Sequence, residues 1–256
     1  MITAVVNHKG GTGKTTTSIN LGSALAAKKQ KVLLVDLDAQ GSLSYSLGIG
    51  DFDAGMSEVF EGSHAMDQVL VDREGMQVAP SNMSLAEIEL AMAGTEKREQ
   101  VLKDVLAGYD DQFDQIIVDC PPSLSLLTVN ALTAAHSVLI PMQMEVLSLQ
   151  GLDLISETIG RIKKAYNPEL QVLGILPVMV DSRKKLSTEV YEHIQENYDV
   201  PVFRQKIRTN VKASEAPSFG QSVIRYAPNA NSAQDYKMFA NEFLKTVQPL
   251  TVHGIR

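Results

Sequence analysis

Apolar residues along this chain fall into two kinds of run. Short, largely apolar stretches occur at Ile2–Val6, Val32–Val35, Ile116–Val118, Val138–Met142 and Val172–Pro177. Such short, nearly continuous apolar runs read as strands buried on both faces. Between them lie segments with helical spacing. Ile19, Leu21 and Leu25 follow Lys14 in a helix running to about Ala27, and Glu145–Gly151 opens a long helix. Asn231–Thr246 reads as a closing helix. The region 48–112 is less regular, with amphipathic pieces at Met56–Phe60, Ser84–Ala91 and Lys97–Leu106 around a strand at Met76–Ala79. Strands alternating with helices predict an α/β fold, a twisted and mostly parallel sheet with helices on both faces. No repeat, low-complexity tract or linker interrupts the pattern, so residues 1–256 are expected to form a single domain.

The glycines sit where this pattern changes period. After the first strand comes Lys9-Gly10-Gly11-Thr12-Gly13-Lys14-Thr15-Thr16, and then the helix. Strand, glycine-rich loop and helix N-terminus form a phosphate cradle, because glycines let backbone N–H groups turn inward and the helix adds its positive end. In that cradle Lys14 would meet β- and γ-phosphates and the Thr15 hydroxyl would meet Mg²⁺. One aspartate-bearing strand end follows at Asp36-Leu37-Asp38-Ala39-Gln40-Gly41, and another at Asp119-Cys120-Pro121-Pro122-Ser123. Strand C-terminal ends are where α/β sheets place ligands. Asp119 reads as the carboxylate that holds Mg²⁺ through water, with the prolines stiffening the loop beyond.

The loop departs from the general phosphate-loop pattern. His8 stands where a glycine would be, and a second lysine, Lys9, opens the loop. This resembles the deviant Walker A motif, KGGxGKT[ST], of the ParA/MinD ATPases. Asp36–Gly41 resembles that family's DxDPQG segment with Ala39 in place of proline, and Asp119–Ser123 resembles its DxPPS switch. Met179–Leu186 (MVDSRKKL) is similar to its TMxDxRxxL loop, and Glu215–Gly220 (EAPSFG) to its EAPSxG motif. The resemblance spans Ile2 to about Glu242.

The resemblance implies a P-loop NTPase that binds ATP and Mg²⁺. Lys9, Lys14 and Asp38 would be the catalytic residues, with Lys9 reaching across a sandwich dimer to the partner's nucleotide and Asp38 positioning the attacking water. The nucleotide would lie on Lys9, Gly10, Gly11, Thr12, Gly13, Lys14, Thr15 and Thr16, with Met179 and Pro217 near the adenine. Thr15, Asp38 and Asp119 would surround the metal. ParA members bind DNA without sequence preference through basic residues. Arg183 and Lys212 stand at matching positions, whereas Lys184, Lys185 and Arg208 are added on charge alone. The expected cycle is an ATP-bound homodimer on the nucleoid in the cytoplasm, released by slow hydrolysis that a ParB-like centromere-binding protein stimulates.

Composition adjusts this picture in two places. The net charge of −7 speaks against nucleic acid until it is divided along the chain. Residues 1–150 hold 9 Lys and Arg against 19 Asp and Glu, and residues 151–256 hold 14 against 11. Charges separated by more than about 8 Å are screened at physiological salt, so a basic patch acts locally. Cys120 is the one cysteine. It suits a reducing compartment, reads as a small buried residue and counts against the family's iron–sulfur relatives. No apolar run approaches a membrane span, and the first residues read as a strand rather than a leader. Three alternatives stay open at this level. One is a ParA-like positioner of another cargo. Another is a MinD-like membrane switch, which needs an amphipathic tail that KTVQPLTVHGIR resembles poorly. The third is a metabolic synthetase on the same nucleotide fold, which needs its own substrate pocket.

Overall fold

The structure is a computed structural model describing residues 1–181 and 186–252, without side chains at 186–188 and 249–252. In chain order the elements are β1 (Ile2–Val5), α1 (Lys14–Ala26), β2 (Val32–Asp36), α2 (Ser42–Ser46), α3 (Met56–Glu61), β3 (Val71–Arg73), β4 (Met76–Ala79), α4 (Ser84–Ala91) and α5 (Val101–Leu106). There follow β5 (Gln115–Asp119), α6 (Leu126–Ala134), β6 (Ser137–Gln143), α7 (Val146–Ala165), β7 (Gln171–Val178), α8 (Leu186–Asn197), α9 (Val211–Glu215), α10 (Val223–Tyr226) and α11 (Asn231–Val252). The sheet order is β3-β4-β2-β5-β1-β6-β7, parallel throughout except for β3 at the edge.

Each central strand feeds two cores, because successive side chains leave opposite faces. Ile2, Ala4, Leu33, Val35, Ile116, Val118, Val138 and Ile140 pack on one side with α3 to α8. Val5, Val32, Leu34, Ile117 and Leu139 pack on the other with α1 and α11. Burial on both faces explains why these strands read as nearly continuous apolar runs. Gly22 lets α1 close on the sheet, since a Cβ there would lie 2.8 Å from Leu34 Cδ2.

The irregular region differs from its expected form in physical detail. The edge strand β3, with Val71, Asp72 and Arg73, is too short and polar to stand out by pattern. Helix α5 begins at Val101 rather than Lys97, whose φ of 57° is left-handed. The closing helix continues past Thr246 to Val252.

At Gly174 the β6–β7 register shifts and φ is 142°, a value that L side chains rarely adopt. A Cβ there would stand 2.6 Å from Pro201 O, in the stretch whose Phe203 N–H donates to Ile175 O. Gly174→Ala is expected to destabilise the fold by at least about 2 kcal/mol, read as a lower denaturant midpoint with an unchanged slope.

Candidate functional site

The parallel order brings the C-terminal ends of β1, β2 and β5 side by side, with Asp36 in register with Asp119. The loop 9–16 rises from β1 into α1 over this edge. Gly11 and Gly13 have φ of 71° and 77°, which turns successive N–H groups toward one side. Gly13 is the N-cap of α1 and supplies no side chain, leaving the helix end open for an anion. Three side chains brace the loop. Asn7 Oδ1 accepts from Lys9 N at 3.0 Å while Asn7 Nδ2 donates to Pro141 O at 2.8 Å. The Thr12 hydroxyl and the Lys14 ammonium both donate to Lys9 O, at 3.2 and 3.4 Å. Lys9 itself is exposed, whereas Lys14 is buried. Burial lowers the Lys14 pKa, and the negative charges of Asp119 and Asp38 oppose that shift.

The cradle opens into a cavity of about 340 Å³, lined by residues 10–16 with Asp38, Ser42, Ser46, Pro122 and Met179. Asp119, at the end of β5, is fully buried, and its Oδ1 accepts from Ser18 Oγ at 2.9 Å. Among the described residues its Oδ2 has no hydrogen-bond partner, and the Thr15 hydroxyl is near enough to the carboxyl to lower its pKa. Burial raises Asp119 to about 6, against the lowering by Thr15, Ser18 and Lys14. Asp36 is raised to about 7 by burial and by the charge of Asp119. A buried carboxylate oxygen without a donor, beside a threonine hydroxyl and Asp38, is a donor set that fits a hard divalent cation.

Asp36 has a second task that the sequence did not disclose. It accepts from Ser44 N at 2.9 Å, Ser44 Oγ at 2.8 Å and Asp38 N at 3.2 Å. Gly41, at φ 60°, approaches so closely that a Cβ would lie 2.6 Å from Ser81 O. These contacts supply the rigidity that proline in place of Ala39 would have brought, and they set Asp38 at the cavity wall.

A second cavity of about 210 Å³ adjoins the first through Gly13, Thr16 and Met179. Met179 and Pro217, the two residues expected near a base, both line it, together with Val178, Ile207, Asn210 and Ala213. Met179 has φ 52°, and its Sδ accepts from Gln143 Nε2 at 2.7 Å. The EAPSFG stretch is held by a close backbone contact, since a Cβ on Gly220 would lie 2.9 Å from Gly48 Cα. Cys120 is buried with its thiol pKa pushed up by desolvation, which leaves it inert.

Of the five basic residues expected on a DNA face, Arg183, Lys184 and Lys185 lie outside the described residues. Lys212 and Arg208 are half-exposed and each meets an acid: Lys212 pairs with Glu215 at 2.8 Å, and Arg208 with the buried Asp235 at 2.7 Å. Asp235 lies 27 residues further along the chain, so the sequence around Arg208 does not show the pair. Asn7 carries a local signal, a turn-forming side chain two residues before Lys9.

A phosphate cradle at a helix N-terminus, a cation-binding carboxylate at the next strand end and an adjoining base-sized cavity define a P-loop nucleotide hydrolase. A family model described as an AAA domain matches residues 1–172. The chain is 40% identical over 245 residues to the sporulation initiation inhibitor protein Soj of Bacillus subtilis, covering 94% of this chain and 97% of that one. It is 38% identical over 249 residues to the chromosome partitioning protein ParA of Caulobacter vibrioides, covering 95% and 93%. A solved structure named cobyrinic acid a,c-diamide synthase, from Mycobacterium smegmatis with bound ATP analog and magnesium, superposes with a TM-score of 0.86 at 37% identity, covering 96% and 95%. The chain belongs to the ParA/MinD family of ATPases, as the Lys9 signature implied.

Lys14 is the one cation of its own chain buried in the cradle among the described residues. Lys14→Ala is expected to weaken binding of a nucleoside triphosphate by about a hundredfold in a calorimetric titration. Undiminished affinity would remove the cradle from the site.

Proposed function

We propose that this ATPase segregates DNA as a nucleotide-controlled dimer. The observation that carries the reading is the division between its two loop lysines. Lys14 points into the cradle of its own chain, whereas Lys9 is exposed and takes no part in the cavity wall. A cation poised outside its own phosphate site suits the nucleotide of a second copy. The adjoining surface supports this. Gly151 of α7 sits against Asn7, with a Cβ position 3.6 Å from its Oδ1, and α7 exposes Val146, Leu147 and Leu154. An apolar patch beside a charged site is what a face-to-face contact would cover.

ATP would occupy the joined cavities, with its base between Met179 and Pro217 and its phosphates over residues 10–16. Thr15, Asp38 and Asp119 would hold Mg²⁺, whose chemistry is to neutralise the phosphate oxygens. Phosphoryl transfer needs positioning and charge stabilisation more than covalent help. Asp38 accepts a water's hydrogen bond and aims it, and Lys14 draws off developing charge. The names of the Soj and ParA relatives support partitioning as the use of this cycle. Dimerisation would double the basic surface around Arg183, Lys212 and the adjacent Lys184 and Lys185, so that DNA is held in the ATP state and released after hydrolysis. A ParB-like partner would stimulate turnover, and the protein would sit on the nucleoid in the cytoplasm. No helix among the described residues is long and apolar enough to cross a membrane.

Two variants separate binding from turnover. Asp38→Ala is expected to keep ATP bound and accumulate as dimer by light scattering, with hydrolysis at least about a hundredfold slower. Lys9→Ala is expected to bind nucleotide at a modest loss while forming no ATP dimer and hydrolysing no faster in the partner's presence. Unchanged stimulated turnover in Lys9→Ala would sink the dimer reading.

DNA retention by the native protein is expected to need ATP and to weaken steeply with salt. Log affinity falls with log salt by about 0.9 per phosphate contact, so Lys212→Ala and Arg183→Ala should each lower the slope by about two per dimer. An absence of ATP-dependent DNA retention at low salt would transfer the switch to another cargo. Turnover that ignores DNA and partner but requires an acid substrate would favour a synthetase, as the name of the Mycobacterium smegmatis structure would have it.

A further inference from the structure

The segment from Gln205 to Pro217 has two faces. One carries Lys212, and the other, with Arg208 among its residues, walls the base-sized cavity. The two cations are held differently. Lys212 pairs with a Glu215 that is itself 40% exposed, a contact that solvent screens and a DNA phosphate can replace at little cost. Arg208 is bound to Asp235 of α11, which is 3% exposed. Asp235 Oδ2 accepts from Arg208 N at 3.0 Å and from its Nε at 2.9 Å, and Oδ1 accepts from Nη2 at 2.7 Å. Gln205 Nε2 approaches the same carboxylate at 3.5 Å.

This fork fixes backbone as well as side chain. Arg208 pairs with Val180 in a parallel bridge, where Val180 N donates to Ile207 O at 2.9 Å and Thr209 N donates to Val180 O at 3.2 Å. Met179, immediately before Val180, stands over Gly13, its Cε 3.7 Å from the Cβ position there. The residue after Asp235 is Tyr236, which lines the cavity and whose hydroxyl lies 3.3 Å from Thr17 Oγ1 of α1. One turn of α11 therefore holds the 205–210 wall with one side chain and the phosphate-loop helix with the next.

We infer that Arg208 acts with Asp235 as a positioning pair for the nucleotide base and is not a DNA contact. The inference rests on the ATP and DNA binding proposed above. Drawing Arg208 onto a DNA phosphate would strand the Asp235 carboxylate, a buried charge with its strongest partner gone. It would also release the wall that faces the base. Lys212 carries neither penalty, so the two neighbours divide the labour.

Two variants and a base-free ligand test this. Arg208→Lys keeps the positive charge and loses the planar fork. It is expected to bind ATP about tenfold more weakly, a change of about 1.4 kcal/mol, while DNA retention at saturating ATP is unchanged. Arg208→Gln combined with Asp235→Asn removes both charges without stranding a carboxylate. It is expected to show the same loss for ATP and an unchanged salt slope for DNA, where Lys212→Ala loses about two. Inorganic triphosphate, which has no base, should bind both variants as it binds the native protein. ATP affinity unchanged in Arg208→Lys would overturn the inference. So would a slope reduced by about two in the double variant, or a parallel loss for inorganic triphosphate. If the native protein retains no DNA at all, the proposed function fails in that part, and the ATP and triphosphate titrations still decide the role of Arg208.

Discussion

Burying charge is the constraint that the rest of this structure answers. Lys14, Asp36 and Asp119 all lose their water at the C-terminal edge of β1, β2 and β5. A lone buried ion is costly, so each must be met by a donor, an opposite charge or a bound ligand. Asp36 is met by Ser44 and the backbone of Asp38, and that solution shapes the loop carrying Asp38. Asp119 is met on one oxygen by Ser18, which leaves the other for a cation. Lys14 is met by the charges of Asp119 and Asp38 and by one long hydrogen bond, to Lys9 O at 3.4 Å, which leaves its ammonium donors for phosphate. The incompleteness is local and sits where a ligand would restore the balance.

The same economy of position recurs at the second cavity. Its walls come from four distant parts of the chain: the phosphate loop and start of α1, the end of β7, the segment from Ile207 to Pro217, and Tyr236 of α11. Helix α11 joins them, through Tyr236 to α1 and through Asp235 to Arg208. Gly220 and Gly48 bring the EAPSFG stretch against the end of α2 closely enough that neither tolerates a side chain. A base held in this cavity thus touches elements that also carry Lys212 and the loop of Asp38. That contiguity gives nucleotide state a physical route to the outer surface.

How much of this was legible depended on whether the cause was local. Gly11, Gly13, Lys14 and the strand-end aspartates Asp38 and Asp119 were readable because a phosphate cradle is built from consecutive residues with fixed backbone demands. The central strands were readable because burial on both faces forces nearly continuous apolar runs. The family and its ATPase activity followed from the Lys9 signature and the order of the motifs, both properties of the chain as written. The edge strand β3 was not readable, since three half-exposed residues carry no period.

What only the tertiary structure decided were the pairings across long separations. Asp36 and Asp119 are neighbours because β2 and β5 pair in parallel, and burial first, then the charge of Asp119, raises the carboxyl of Asp36. Arg208 entered the candidate DNA face on its charge alone, yet Asp235, brought in by α11, takes its guanidinium. Asn7, two residues before Lys9, ties the start of the loop to β6. A sequence lists which charges are near one another along the chain. Packing decides which are near in space, and Coulomb interactions and hydrogen bonds depend only on the latter.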